Sequence, residues 1–184
     1  MKLVLGNIVQ MDTDAIVCPA HADLQPIPGI REAVFQAADG KLLRKYCREK
    51  GRRRSGGAVI TPSCGLPCRY IVHAVGPGWY SGRESDRRLF AACYAAALQA
   101  AHIYRCRSVA LPLMFSGESH LPRFQALTIV CQVVDAFEKH HPDMDIQLVL
   151  YKKSIYDLAE KIYARVKDGT LKTDRKLFPG TFDL

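Results

Sequence analysis

Asp14-Ala15-Ile16-Val17-Cys18-Pro19-Ala20-His21 is followed by Pro28-Gly29-Ile30, which opens a segment of helical period from Ile30 to Ala38. The short apolar run Ala15 to Cys18 predicts a strand, and the Pro-Gly pair ahead of the helical segment predicts a connection. Strand, connection and helix together form the unit of parallel sheets, because parallel neighbours need crossovers and those crossovers cover the sheet.

The same rhythm extends in both directions from this stretch. Lys2 to Leu5 predicts a strand before it, and Leu42 to Lys50 a second helix after it. Ala58 to Pro62 and Arg69 to Val75 are β-rich runs, separated by the turn formers Cys64-Gly65-Leu66-Pro67. Beyond the Gly- and Pro-rich segment Gly76 to Gly82, an Ala/Leu-rich helix is expected from Arg87 to His102. A strand (Ser108 to Leu111), a loop opening at Pro112, a helix (Pro122 to Lys139), a strand (Asp145 to Tyr151) and a helix (Ser154 to Val166) complete the pattern. The alternation predicts an α/β protein, its mostly parallel or mixed sheet covered by helices on both faces and its ligands at strand C-termini. Residues 167–184 lack periodicity and are expected to form a linker or a loosely docked tail that Phe178 and Phe182 would pin.

The chain has 184 residues, 48% of them hydrophobic, which suits one domain with a sizeable core. No apolar run is long enough to span a membrane, and Gly6-Asn7 interrupts the apolar start before a signal-peptide core forms, so a soluble, unexported, cytoplasmic protein is expected. The seven cysteines are an odd, scattered set that suits reduced thiols. Cys64 and Cys68 lack a second Cys/His pair at zinc spacing and read as small buried hydrophobes, so neither a metal nor a cofactor is expected. The net charge of +8 favours phosphorylated or polyanionic partners. Arg52-Arg53-Arg54, between Gly51 and Ser55-Gly56-Gly57, reads either as a solvated loop or as a basic patch.

Six stretches taken in order carry more than any one of them. They are Gly6-Asn7-Ile8, Asp14 to His21, Pro28-Gly29-Ile30, Ile71-Val72-His73-Ala74-Val75-Gly76-Pro77-Gly78-Trp79, Pro112 to Pro122, and Val149-Leu150-Tyr151. In this order and spacing the chain, from Met1 to Val166, resembles the macrodomain, a module that grips ADP-ribose. The resemblance implies a three-layer α/β/α fold over residues 1–166 with a mixed central sheet.

The resemblance also implies where a ligand would sit. Adenine would lie near Asn7 and Ile8, with Asn7 standing where the family has an aspartate. Tyr151 would stack on the base, or else pack within its own core. The pyrophosphate would rest on the amides of Gly29 and Ile30 and on the second loop, Ser116-Gly117-Glu118-Ser119, where Gly117 can take whatever φ is needed. Pro26-Ile27-Pro28-Gly29 stands in place of the family's glycine run, and its two prolines remove two amide donors. His21 and Arg31 occupy the positions where the family's hydrolases carry an asparagine and an acid. His21 is a candidate base or ribose contact, or simply a polar loop residue; Arg31 cannot be a base but can pair with a phosphate or an acidic side chain. Glu118 and His120 form a conceivable acid/base pair, or two solvated residues. Cys18 is either a nucleophile or a buried thiol, and His73 is expected to be structural.

Three functions follow as expectations: binding of ADP-ribose or a related nucleotide diphosphate with an atypical distal-ribose site; ADP-ribosyl hydrolysis or O-acetyl-ADP-ribose deacetylation by a variant set of His21, Glu118 or His120; and a degenerate module for protein or RNA acting through Arg52 to Arg54 and the basic tail. The expected partners are ADP-ribose or an ADP-ribosylated protein, with nucleic acid second and no membrane.

Overall fold

Six strands and five α-helices alternate along the described chain: β1 (Lys2–Leu5), β2 (Ala15–Ala20), α1 (Ile30–Ala37), α2 (Gly40–Lys50), β3 (Gly57–Pro62), β4 (Tyr70–Val75), α3 (Glu84–Ile103), β5 (Ser108–Pro112), α4 (Arg123–His140), β6 (Asp145–Leu150) and α5 (Lys153–Lys167). The computed structural model describes residues 1–78, 81–117 and 120–171. Trp79, Glu118, Ser119 and the proposed tail anchors Phe178 and Phe182 lie outside the described residues.

The strands form one sheet in the order β1-β6-β5-β2-β4-β3, parallel throughout except for β3, which runs antiparallel to β4. Helices cover both faces, the three-layer α/β/α arrangement that the alternation predicts. Because successive side chains point to opposite faces, Ala15 and Val17 of β2 join the core under α3, α4 and α5, while Ile16, Cys18 and Ala20 join the core under α1 and α2.

Element boundaries shift where local hydrogen bonding decides them. Helix α2 begins at Gly40, two residues before the expected start, because the Asp39 carboxylate accepts from the amides of Lys41 and Leu42, each at 3.1 Å. Helix α3 begins at Glu84 instead of Arg87; Glu84 and Asp86 supply negative charge at its positive end. Ile8–Gln10 forms a single 3-10 turn that periodicity cannot reveal, capped by the Asn7 side chain accepting from the Val9 amide. Lys167 closes α5, and its ammonium pairs with Asp135 at 2.9 Å and Glu138 at 3.5 Å on α4. No helix among the described residues is long and apolar enough to cross a membrane.

Candidate functional site

The C-terminal ends of β2, β5 and β6 open into a cleft with two chambers. The larger, of about 500 Å³, is walled by Asn7, Ile8, Leu150, Tyr151 and Lys152; the smaller, of about 330 Å³, by Pro19, His21, Ile27, Pro28, Phe115 and Gly117. Gly29, Ile30, Leu113 and Ser116 belong to both walls, so the chambers meet along the start of α1 and the end of β5. Strands on either side of this point connect in opposite directions across the sheet, which is where open α/β sheets form ligand crevices.

The junction is built from backbone. Gly29 adopts φ 94° and ψ −141°, a conformation that side chains disfavour, and it delivers the chain into α1. The first amides of a helix have no intrahelical acceptor, so that of Ile30, on the wall of both chambers, suits an anion, with the helix dipole adding attraction. Pro26 and Pro28 contribute no N–H to this loop. Across the cleft the left-handed residues are Phe115 (φ 69°) and His120 (φ 57°); Gly117, free to take any φ, is not among them. The Phe115 ring presses on Gly76 so closely that a Cβ there would lie 2.1 Å from Cε1.

The larger chamber holds Tyr151 with 79% of its surface exposed, which excludes core packing as its role. Asn7 lines the same chamber, although its amide oxygen already accepts the Val9 amide at 3.3 Å. Lys152, which the sequence reading passes over, stands beside Tyr151 on this wall and brings a positive charge to it. A lysine opening a helix gives no sequence signal distinguishing it from a solvated one.

The smaller chamber brings in His21, half-buried, and leaves out His120, which is exposed and stands outside both walls. Among the described residues, no carboxylate lines either chamber. Glu118 and Ser119 lie outside the described residues. Arg52, Arg53 and Arg54 are exposed, and the Arg53 amide donates to the Ala22 carbonyl at 2.8 Å, which tethers the run to the loop carrying His21.

Arg31 departs most from expectation. Instead of meeting an acidic side chain, its fully buried guanidinium donates to the backbone carbonyls of Pro19, Leu24 and Gln25, pinning the first loop from beneath. Its Nη1 lies 3.5 Å from His73 Nδ1, and His73 Nε2 lies 2.9 Å from Thr61 Oγ1. A guanidinium only donates, so Nδ1 is the acceptor and Nε2–H the donor to Thr61. Burial, with Arg31 and Lys50 adding repulsion, lowers the His73 pKa to about 3 and keeps the ring neutral. His73 is therefore structural, as expected. Cys18 is also buried, its thiol pushed up to about 12 by desolvation, which removes it as a nucleophile. All seven cysteines are free and buried.

The model of the Macro domain family matches residues 17–130. A macro domain-containing protein of Caldanaerobacter subterraneus is 32% identical over 166 residues, covering 89% of this chain and 95% of the relative. The chain belongs to the macro domain family. A second relative, from Salmonella gallinarum, is named O-acetyl-ADP-ribose deacetylase; it is 33% identical, and the match covers 74% of this chain and 78% of the relative. Among solved structures, the Oceanobacillus iheyensis macrodomain with ADP superposes with a TM-score of 0.85 at 26% identity, covering 90% of each chain. The three-layer architecture of this macro domain is thus the architecture of the family.

Proposed function

We propose that this macro domain binds ADP-ribose, either free or attached to a protein, and that it binds without hydrolysing. The observation carrying the proposal is the pair of chambers joined at Gly29 and Ser116: an apolar chamber with an exposed tyrosine suits adenine, the junction offers helix-start amides to a diphosphate, and the second chamber receives the distal ribose. The relatives support it, since one solved neighbour is the Oceanobacillus iheyensis macrodomain with ADP and another is a mutant of that macrodomain with ADPR. The binding set comprises Asn7, Ile8, Gly29, Ile30, Ser116, Gly117 and Tyr151, with Lys152 added and His21 facing the distal ribose.

Catalysis needs a group that accepts a proton from water, and His21 is the one titratable base among the described residues lining the distal chamber. Among the described residues no carboxylate stands there to orient it, which favours the binding role over the deacetylase or hydrolase role. Seven buried free thiols suit a reducing compartment and support cytoplasmic residence.

Calorimetric titration with ADP-ribose, ADP and AMP tests the reading. Binding that favours ADP-ribose is expected, and silence with all three overturns it. Release of ADP-ribose from a modified protein, abolished in His21→Ala, would replace binding by hydrolysis as the function.

A further inference from the structure

The opposite end of the sheet carries a second hollow, of about 620 Å³, beyond the N-terminal ends of β5 and β6. Its wall includes His102, Arg105, Arg107, His140 and His141, with Asp143 as the acidic member among the described residues. Basic side chains commonly collect at helix C-termini to complement the dipole, which accounts for His102, Lys139 and His140 in the last turns of α3 and α4. It does not account for Arg105 and Arg107, which lie past the end of α3.

Arg105 closes α3 with φ 55°: its amide donates to the His102 carbonyl at 2.8 Å, and the Cys106 amide donates to the Ala101 carbonyl at 3.0 Å. This closure favours glycine, so an arginine here holds a strained backbone that a glycine would relax. Arg107 has its backbone amide on Asp14 Oδ2 at 2.7 Å, while Arg69 takes Asp14 Oδ1 at 3.2 Å. Asp14 is thereby committed, and the Arg107 guanidinium, like that of Arg105, is exposed with no ion pair or hydrogen bond among the described residues.

Beside these charges stands an aromatic platform. Tyr104 is 45% exposed and meets Tyr70 edge-on at 5.5 Å, and Tyr70 lies under the Arg69 guanidinium at 5.3 Å. Positive charge for a phosphate next to an exposed ring for a base is the pairing by which single strands are held without sequence preference. We propose that this end of the molecule binds single-stranded nucleic acid, a backbone phosphate entering the hollow against Arg105 and Arg107 and a base lying on Tyr104. The site is separate from the cleft and does not depend on what the cleft binds.

His141 makes the site responsive to pH. His141 packs on His102 at 4.1 Å and on Phe137 at 4.3 Å between ring centroids, and shares the wall with His140, Arg105, Arg107 and the acidic Asp143, while Lys139 is turned to Asp135. Burial and the neighbouring histidines hold its pKa below the ordinary value. A bound phosphate favours the charged ring, so affinity rises as pH falls toward and below the ordinary histidine value.

The test is fluorescence anisotropy with a rhodamine-labelled oligouridylate of about twelve nucleotides, at moderate salt, with and without saturating ADP-ribose. Expected is salt-sensitive binding that tightens on acidification, persists with ADP-ribose present, and weakens by on the order of tenfold in the double variant Arg105→Gly with Arg107→Glu. Arg105→Gly alone relieves the strained φ and leaves Tm unchanged or raised by up to about 3 °C, so lost binding in it cannot be blamed on unfolding. Reversing Arg52, Arg53 and Arg54 to glutamate leaves the affinity in place. Absence of binding, displacement by ADP-ribose, flatness in pH, or greater sensitivity to the Arg52–Arg54 reversal than to the double variant would overturn the proposal.

Discussion

Tyr151 and His73 show how burial assigns a residue its task. Tyr151, almost wholly in solvent on the wall of the larger chamber, has little folding energy to lose, so Tyr151→Ala is expected to leave the thermal midpoint unchanged. It should weaken ADP-ribose binding by about 1–3 kcal/mol, the worth of stacking a base on an aromatic ring, as read by calorimetry. An unchanged affinity would remove adenine from that wall. His73 is the reverse case, a neutral ring that folding forbids from charging. Its folded pKa of about 3 lies below the unfolded value near 6.5, so the unfolded chain binds more protons between those limits. Stability is then full above about pH 6.5 and falls as pH drops toward 3, by on the order of a few kcal/mol. Urea midpoints at pH 7.5 and pH 5 check the sign, and His73→Asn should flatten the slope. Neither side chain was fully legible in sequence. Arg31 was less so, because an arginine at a helix start reads as a partner for a phosphate or an acidic side chain, and nothing in sequence shows that the carbonyls of Pro19, Leu24 and Gln25 fold around it.

At the scale of elements, much was legible because each segment carries its own period or punctuation. The Ala/Leu-rich run after Gly82 became α3, and Cys64 to Pro67 became the joint between the antiparallel pair β3 and β4. What escaped was set by single hydrogen bonds or contacts between distant loops: the 3-10 turn after Asn7, the Asp39 cap, and the placement of Lys152 where β6 hands over to α5. Gly76 belongs with these. It follows β4 and admits the Phe115 ring from the loop after β5, so two connections lock against each other beside the distal chamber. Gly76→Ala places a methyl inside that ring's space and is expected to cost about 1–3 kcal/mol by forcing Phe115 outward. Chemical denaturation measures the cost, and nuclear magnetic resonance of the Phe115 ring should show its displacement. A neutral substitution would mean that the ring yields freely and does not fix the chamber wall.

Over the whole molecule, the sheet divides two cores of unequal size. The larger one, under α3, α4 and α5, includes Phe90, Tyr94 and Phe137, all fully buried; the smaller one lies under α1 and α2 and is the layer from which the first loop rises. Local opening should follow that inequality. Hydrogen exchange is expected to be faster in α1 and α2 than in α3 and α4, and ADP-ribose should slow it chiefly at the start of α1; equal protection of both layers without ligand would contradict the reading. The proline loop sits on this weaker layer, with Arg31 clamping it from below. A glycine run must be ordered each time a ligand arrives, and its disorder returns each time the ligand leaves. Pro26 and Pro28 lack donors but also lack that freedom, so less conformational entropy is lost on capture. Fewer bonds to the diphosphate then go with a mouth already set in shape. Its ligand would be held with a smaller favourable enthalpy and a smaller entropic penalty than a glycine-lined cleft imposes, and the cleft would have little need to close behind it.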